Sequence, residues 1–220
     1  MKPLIVLVAA LVAAAALPLL AALSLKQAWR RGKVPASCGR SGAFFALFLL
    51  RKVGVENVHV VEGGRLFCER YKSGERDIVL SSEVYSGKSI SALAHAALQA
   101  GHALRHRDNA LPAVRLAWWS GVLRLLVNAA PVLFGLLFFV PGGVMKFIPL
   151  LAAFGLLLAA AQVLTYPAVR AAAERATGVV FEKELLQPEE MPAFRDALRA
   201  ASKRHLAAPV LDCLWLRWLW

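Results

Sequence analysis

ISALAHAALQAGHALRHRD, Ile90 to Asp108, is the stretch on which the reading of this chain turns. Ser89, just before it, offers a side-chain N-cap, and the spacing predicts a helix from Ile90 to about Arg107. Within it His95, His102 and His106 are separated by seven and then four residues, which sets them along one helical face. Upstream, the pattern of a small α+β unit leads into this helix. Ser41 to Val53 reads as a helix with Phe44, Phe45, Leu47, Phe48 and Leu49 as its apolar surface and Gly54 just past its end. Val58 to Val61 and Asp77 to Ser81 read as short strands bounded by Gly63-Gly64 and Ser73-Gly74 turns.

Outside this wet segment the chain is strongly apolar. Its 220 residues are 59% hydrophobic, with a mean hydropathy of +0.57, against roughly 45–50% apolar residues in an ordinary soluble domain. The apolar residues concentrate in an N-terminal block, a central block and the extreme C-terminus. Pro3 to Leu25 has about the length needed to cross a ~30 Å hydrocarbon core, and it is longer than the apolar core of a signal peptide. Val114 to Tyr166 is broken only by Pro141-Gly142-Gly143 and Lys146, which implies two antiparallel apolar helices. Arg124 falls near the wet end of the first, where its side chain can snorkel. The last residues carry Trp215, Trp218 and Trp220, as an interfacial segment does.

The sequence therefore divides into a first membrane helix (1–25), a wet α+β domain (26–112), a transmembrane hairpin (113–166), a charged helical segment (167–204) and an interfacial or marginal fourth helix (205–220). The net charge of +12 does not indicate nucleic acid. Its densest run, Lys26, Arg30, Arg31 and Lys33, flanks an apolar stretch, where basic residues set topology and meet anionic lipid headgroups. No nucleic-acid motif competes. The same asymmetry places both wet regions on the cytoplasmic side. Cys38, Cys68 and Cys213 share no close spacing and form neither a disulfide framework nor a metal clip.

A zinc-binding helix of the HExxH type sets two His four residues apart, with a Glu beside the first to deprotonate the bound water. LQAGH, Leu98 to His102, keeps that frame without that chemistry. At this point the chain resembles the YugP-like membrane-bound neutral zinc metallopeptidases, over nearly its whole length. The resemblance rests on GRSGA (Gly39 to Ala43), GVENVHV (Gly54 to Val60), IVLSSEVYSGKS (Ile78 to Ser89), AALQAGHALRH (Ala96 to His106) and TYPAVRAAA (Thr165 to Ala173), in the family's order. It puts the family's first zinc-binding His on Leu98, its general-base Glu on Gln99 and a carboxylate ligand on Val169, and leaves His102 as a ligand type, with His106 just beyond.

The resulting expectation is a mainly α integral membrane protein, with transmembrane helices plus a small zincin-like α+β domain. It is expected as a multi-pass protein of the cell membrane whose wet domain is cytoplasmic. It would be a pseudopeptidase with no catalytic residues and no cofactor, binding a polypeptide along a strand edge that includes Asp77 to Ser81, or binding a membrane protein. Its other partner is the lipid bilayer, and none is nucleic acid. The alternative is an active membrane zinc metallopeptidase with a rearranged site built from His95, His102 and His106, in which case the cofactor is zinc. A purely structural membrane subunit is the third reading.

Overall fold

The computed structural model describes residues 2–64, 67–108, 129 and 143–211. Its elements in chain order are α1 (Lys2–Arg31), α2 (Gly42–Lys52), β1 (His59–Gly63), β2 (Arg70–Lys72), β3 (Asp77–Ser81), α3 (Ser82–Tyr85) and α4 (Ile90–Arg107). There follow α5 (Gly143–Glu182), a 3-10 turn (Pro188–Glu190), α6 (Met191–Ser202) and α7 (Arg204–Leu211). The middle of the expected hairpin, Arg124 with it, and the three C-terminal tryptophans lie outside the described residues.

Helix α4 is the axis of the molecule. Ser89 caps it through its side chain to the Ala92 amide, and from Ile90 to Gly101 every residue is buried. It is covered by α2, α5 and α6, while the sheet closes another side. Phe45 of α2 and Phe194 of α6 meet edge to face at 6.3 Å between ring centres. A helix apolar on all sides is stable in water only when neighbours enclose it, and this one is enclosed.

The sheet has the order β1-β3-β2, with β1 parallel and β2 antiparallel to β3. Asp77–Ser81, expected to offer an edge, is therefore the central strand, and its last four residues are buried. The edges are β1, mostly exposed, and β2, a strand of three residues whose Arg-Tyr-Lys sequence carries no run long enough to read.

The quoted sequence motifs act as joints of this frame. Ser41 caps α2, accepting from the Phe44 amide. A Cβ at Gly42 would come within 2.2 Å of the Val84 carbonyl oxygen, so only glycine fits between α2 and α3. The loop between α1 and α2 is tied across the molecule, since Glu190 accepts from the Ser37 amide at 2.7 Å and the Ser37 hydroxyl at 2.8 Å. The same carboxylate closes a capping box with Gln187.

The expectation of a mainly α integral membrane protein with several spans is corrected. Among the described residues no helix is long and apolar enough to cross a membrane, and the protein is a mixed one, mostly helical with a small sheet. The physical reason lies in where the apolar residues go. The later part of α1 buries Ala21, Ala22, Leu25 and Trp29 inside the protein. The second half of α5, which runs unbroken through Pro167, buries Val169, Ala172, Ala173, Ala176, Val179 and Val180. At Ala21, Ala22 and Leu25, apolarity read as lipid contact is core.

The tightest joint is between α4 and α5. A Cβ on Gly101 would sit 2.2 Å from the Ala172 carbonyl oxygen and 3.2 Å from the Ala176 Cβ. Gly101→Ala is expected to lower stability by about 1–3 kcal/mol through overpacking, although alanine favours a helix by about 1 kcal/mol over glycine. A thermal melt reads this, and a variant as stable as the parent would show that the helices separate without cost.

Candidate metal centre

Leu98 and Val169, the positions matching ligands in the resemblance, are 3% and 4% exposed and belong to one apolar core. Gln99, at the position of the base, is 5% exposed. None of the three is a metal donor in the way a His, Cys or carboxylate is.

The three histidines of α4 have three separate sets of neighbours. His95 is 3% exposed. Its ring meets Trp29 of α1 edge to face at 5.1 Å and tilts against Phe67 at 5.7 Å. Its Nδ1 lies 3.5 Å from Glu69 Oε2. Further along the helix, His106 Nδ1 is 2.9 Å from the Tyr71 hydroxyl of β2. Burial pushes the Tyr71 hydroxyl above its ordinary pKa, with the Arg76 charge opposing.

His102 faces α7. Burial, followed by the positive potentials of His205 and Arg105, pulls its pKa down to about 4. His205 is likewise pulled to about 4, by burial and then by Arg204. Its Nε2 is 2.5 Å from Thr165 Oγ1 of α5. Both imidazoles are therefore neutral at pH 7, and the His205–Thr165 contact joins α7 to α5. Arg105 Nη1 donates to the Ala168 carbonyl at 2.6 Å, fixing the same corner.

Glu69 is the most deeply buried charged group among the described residues, at 1% exposure. Its Oε1 accepts from the Ser81 hydroxyl at 2.5 Å and the Phe67 amide at 3.2 Å. Its Oε2 makes no hydrogen bond, though it faces His95. Burial drives its pKa up, but His95, Arg204 and Ser81 outweigh burial and hold the carboxyl below the ordinary range. Arg204 reaches the same strand entry through Nε to the Phe67 carbonyl. Burial also raises the pKa of the neighbouring Cys68 thiol, with the Glu69 charge adding to it.

Sequence reading missed His205 as a neighbour of His102 and Thr165 as the partner of His205, and missed the Glu69–His95 pairing. The signal is weak in both cases, because the partners lie 103 and 26 residues apart by their numbers and no local spacing announces them.

The chain belongs to a family of zinc metallopeptidases. Residues 6–219 match the family described as "Putative neutral zinc metallopeptidase". Among its relatives, the Putative membrane protease YugP of Bacillus subtilis (strain 168) is 29% identical over 184 residues, 82% of this chain and 79% of that protein. No solved structure matches.

The zinc that the family implies does not fit the residues present. Such a centre needs about three protein donors and an open water position. Two of the matched positions here are a leucine and a valine inside an apolar core. Among the described residues no group of three or more His, Cys, Asp or Glu could hold a metal ion.

Proposed function

We propose that this chain is a non-catalytic member of its family, a pseudopeptidase that binds a polypeptide or a membrane partner without cutting it. The observation that carries the reading is the burial of Leu98 and Val169 in one apolar core at the ligand positions. Gln99 adds to it, since an amide does not accept a proton from water near neutral pH.

Polypeptide binding is supported by two further features. The outer sides of β1 and β2 pair with no other strand among the described residues, and main-chain pairing to a strand edge needs no zinc. A cavity of about 260 Å³ opens at the C-terminal end of α4, beside Tyr71, Arg76, His106 and Arg107. It is large enough for one side chain of an extended segment. The membrane setting is supported by the name of YugP, which is called a membrane protease.

Metal content and cleavage test the reading together. The purified full-length protein is expected to hold substoichiometric zinc and to leave unstructured peptides uncut, with His102→Ala changing neither. Leu98→His alone restores nothing, because the base is still missing. Leu98→His, Gln99→Glu and Val169→Glu together form the variant expected to regain metal. Stoichiometric zinc with chelator-sensitive cleavage, abolished in His102→Ala, would establish a rearranged-site enzyme instead.

A further inference from the structure

Two features of the surface remain unused by the site. The first is an apolar strip on α1 and α5. Leu19, Leu20 and Leu23 are about half exposed or more, and on α5 Leu157 is 65% and Leu164 79% exposed. Large apolar side chains at this density mark a contact with another phase or another molecule. The second is a groove of about 680 Å³ between α5 and α6, which begins at Tyr166 immediately beyond the strip.

The groove is basic. Arg170, Arg195, Arg199 and Lys203 line it, against Glu174 as the one lining carboxylate. Arg170 is paired with Glu174 at 2.9 Å and Arg199 with Asp196 at 3.5 Å. Arg195 and Lys203 have no carboxylate partner among the described residues. Tyr166 and Ser202 contribute hydroxyls to the same wall. Guanidinium and ammonium groups beside hydroxyls are the chemistry that holds a phosphate.

The order of these features along the helices repeats. On α1, Leu19 to Leu23 is followed by Lys26, Arg30 and Arg31, and on α5, Val163 and Leu164 are followed by Arg170. At 1.5 Å per residue, Leu164 and Arg170 are roughly 9 Å apart along the axis, which is about the depth of a phospholipid headgroup layer. We propose that the groove between α5 and α6 binds the phosphate headgroup of an anionic phospholipid, with the exposed leucines of α1 and α5 against the acyl chains beside it. The occupant is a lipid surface and not a soluble acidic chain, because the cations stand directly beside an apolar strip that an acidic chain would leave uncovered.

Flotation of the full-length protein with vesicles tests the proposal. Vesicles of phosphatidylcholine containing phosphatidylglycerol are expected to bind it more tightly than phosphatidylcholine alone, with the difference shrinking as salt is raised. Arg195→Gln and Lys203→Gln lie on an exposed face and leave the fold intact, which a melt of each variant checks. Each is expected to weaken binding to the anionic vesicles roughly fivefold, and the pair roughly 25-fold, without altering binding to neutral ones. Inorganic phosphate is expected not to compete. Equal affinity for the two vesicle types, or anionic binding unchanged in the double variant, would overturn the proposal. Displacement from the groove by soluble polyglutamate but not by anionic vesicles would reassign it to an acidic polypeptide and also overturn it.

Discussion

Glu69→Ala is expected to lower the stability of the folded protein by about 3–5 kcal/mol, the range for removing one member of a buried polar or charged pair. The carboxylate is almost fully enclosed and holds the Ser81 hydroxyl and the Phe67 amide, both of which would be left without a partner. A buried donor without an acceptor costs about 1–3 kcal/mol, and the vacated volume beside Trp29 and His95 adds to it. Glu69→Gln keeps the volume and an acceptor and is expected to lose less. The folded carboxyl lies below its ordinary pKa, so its stabilisation is complete above that ordinary value and is lost as pH falls through the folded one. Denaturant unfolding of the two variants measures both effects. A loss below about 1 kcal/mol in Glu69→Ala would mean that the pairing contributes nothing net.

Acidification acts through a second, separate window. His102 and His205 have folded pKa values of about 4, against about 6.5 in an unfolded chain. The unfolded chain therefore takes up protons first. Stability is complete above roughly pH 6.5 and falls as the pH drops toward 4, where folded and unfolded chains are again equally protonated. Each shift corresponds to about 3 kcal/mol at 1.36 kcal/mol per unit. The rings are mostly buried and keep only some contact with solvent, and with that remaining solvation the expected loss for the pair is also about 3 kcal/mol. Urea midpoints from about pH 7.5 to about pH 4.5 should fall steeply, and His102→Gln with His205→Gln should flatten the profile. An unaltered slope in the double variant would assign the acid sensitivity to other groups.

Much of the α+β frame was legible in the sequence. The Ser89 cap, the helix begun at Ser41, the Gly54 terminator, the strand Asp77–Ser81 and the helix Ile90–Arg107 all follow from local chemistry, and the structure has them within a residue of where the spacing puts them. β2 was not legible, because three residues with no apolar alternation are held by β3 and not by their own propensity. The rank of β3 in the sheet was also hidden, since strand order depends on which faces α4 and α2 cover. The largest misreading concerns α1 and α5. Apolar length does not say whether a helix meets lipid or protein, and Ala21, Ala22 and Leu25 look alike in either setting.

At the candidate site the frame of the zinc-binding helix could be read directly, and so could the substitutions at Leu98, Gln99 and Val169. What those residues do instead could not. Their burial, and the turning of His95, His102 and His106 toward Glu69, His205 and Tyr71, are products of contacts between elements distant in the chain.

The contact between Ser37 and Glu190 has a consequence for biosynthesis. The two residues are 153 positions apart, and at roughly 5–20 residues per second a ribosome needs on the order of 8–30 s to make the second after the first. For roughly the second half of that interval α4 is already synthesised, while the helices that cover two of its sides, α5 and α6, are not yet both complete. Non-local contacts of this kind slow folding and leave apolar surface open to aggregation. Until α6 emerges, the apolar faces of α4 that it covers have no partner and are open to association with other apolar surfaces.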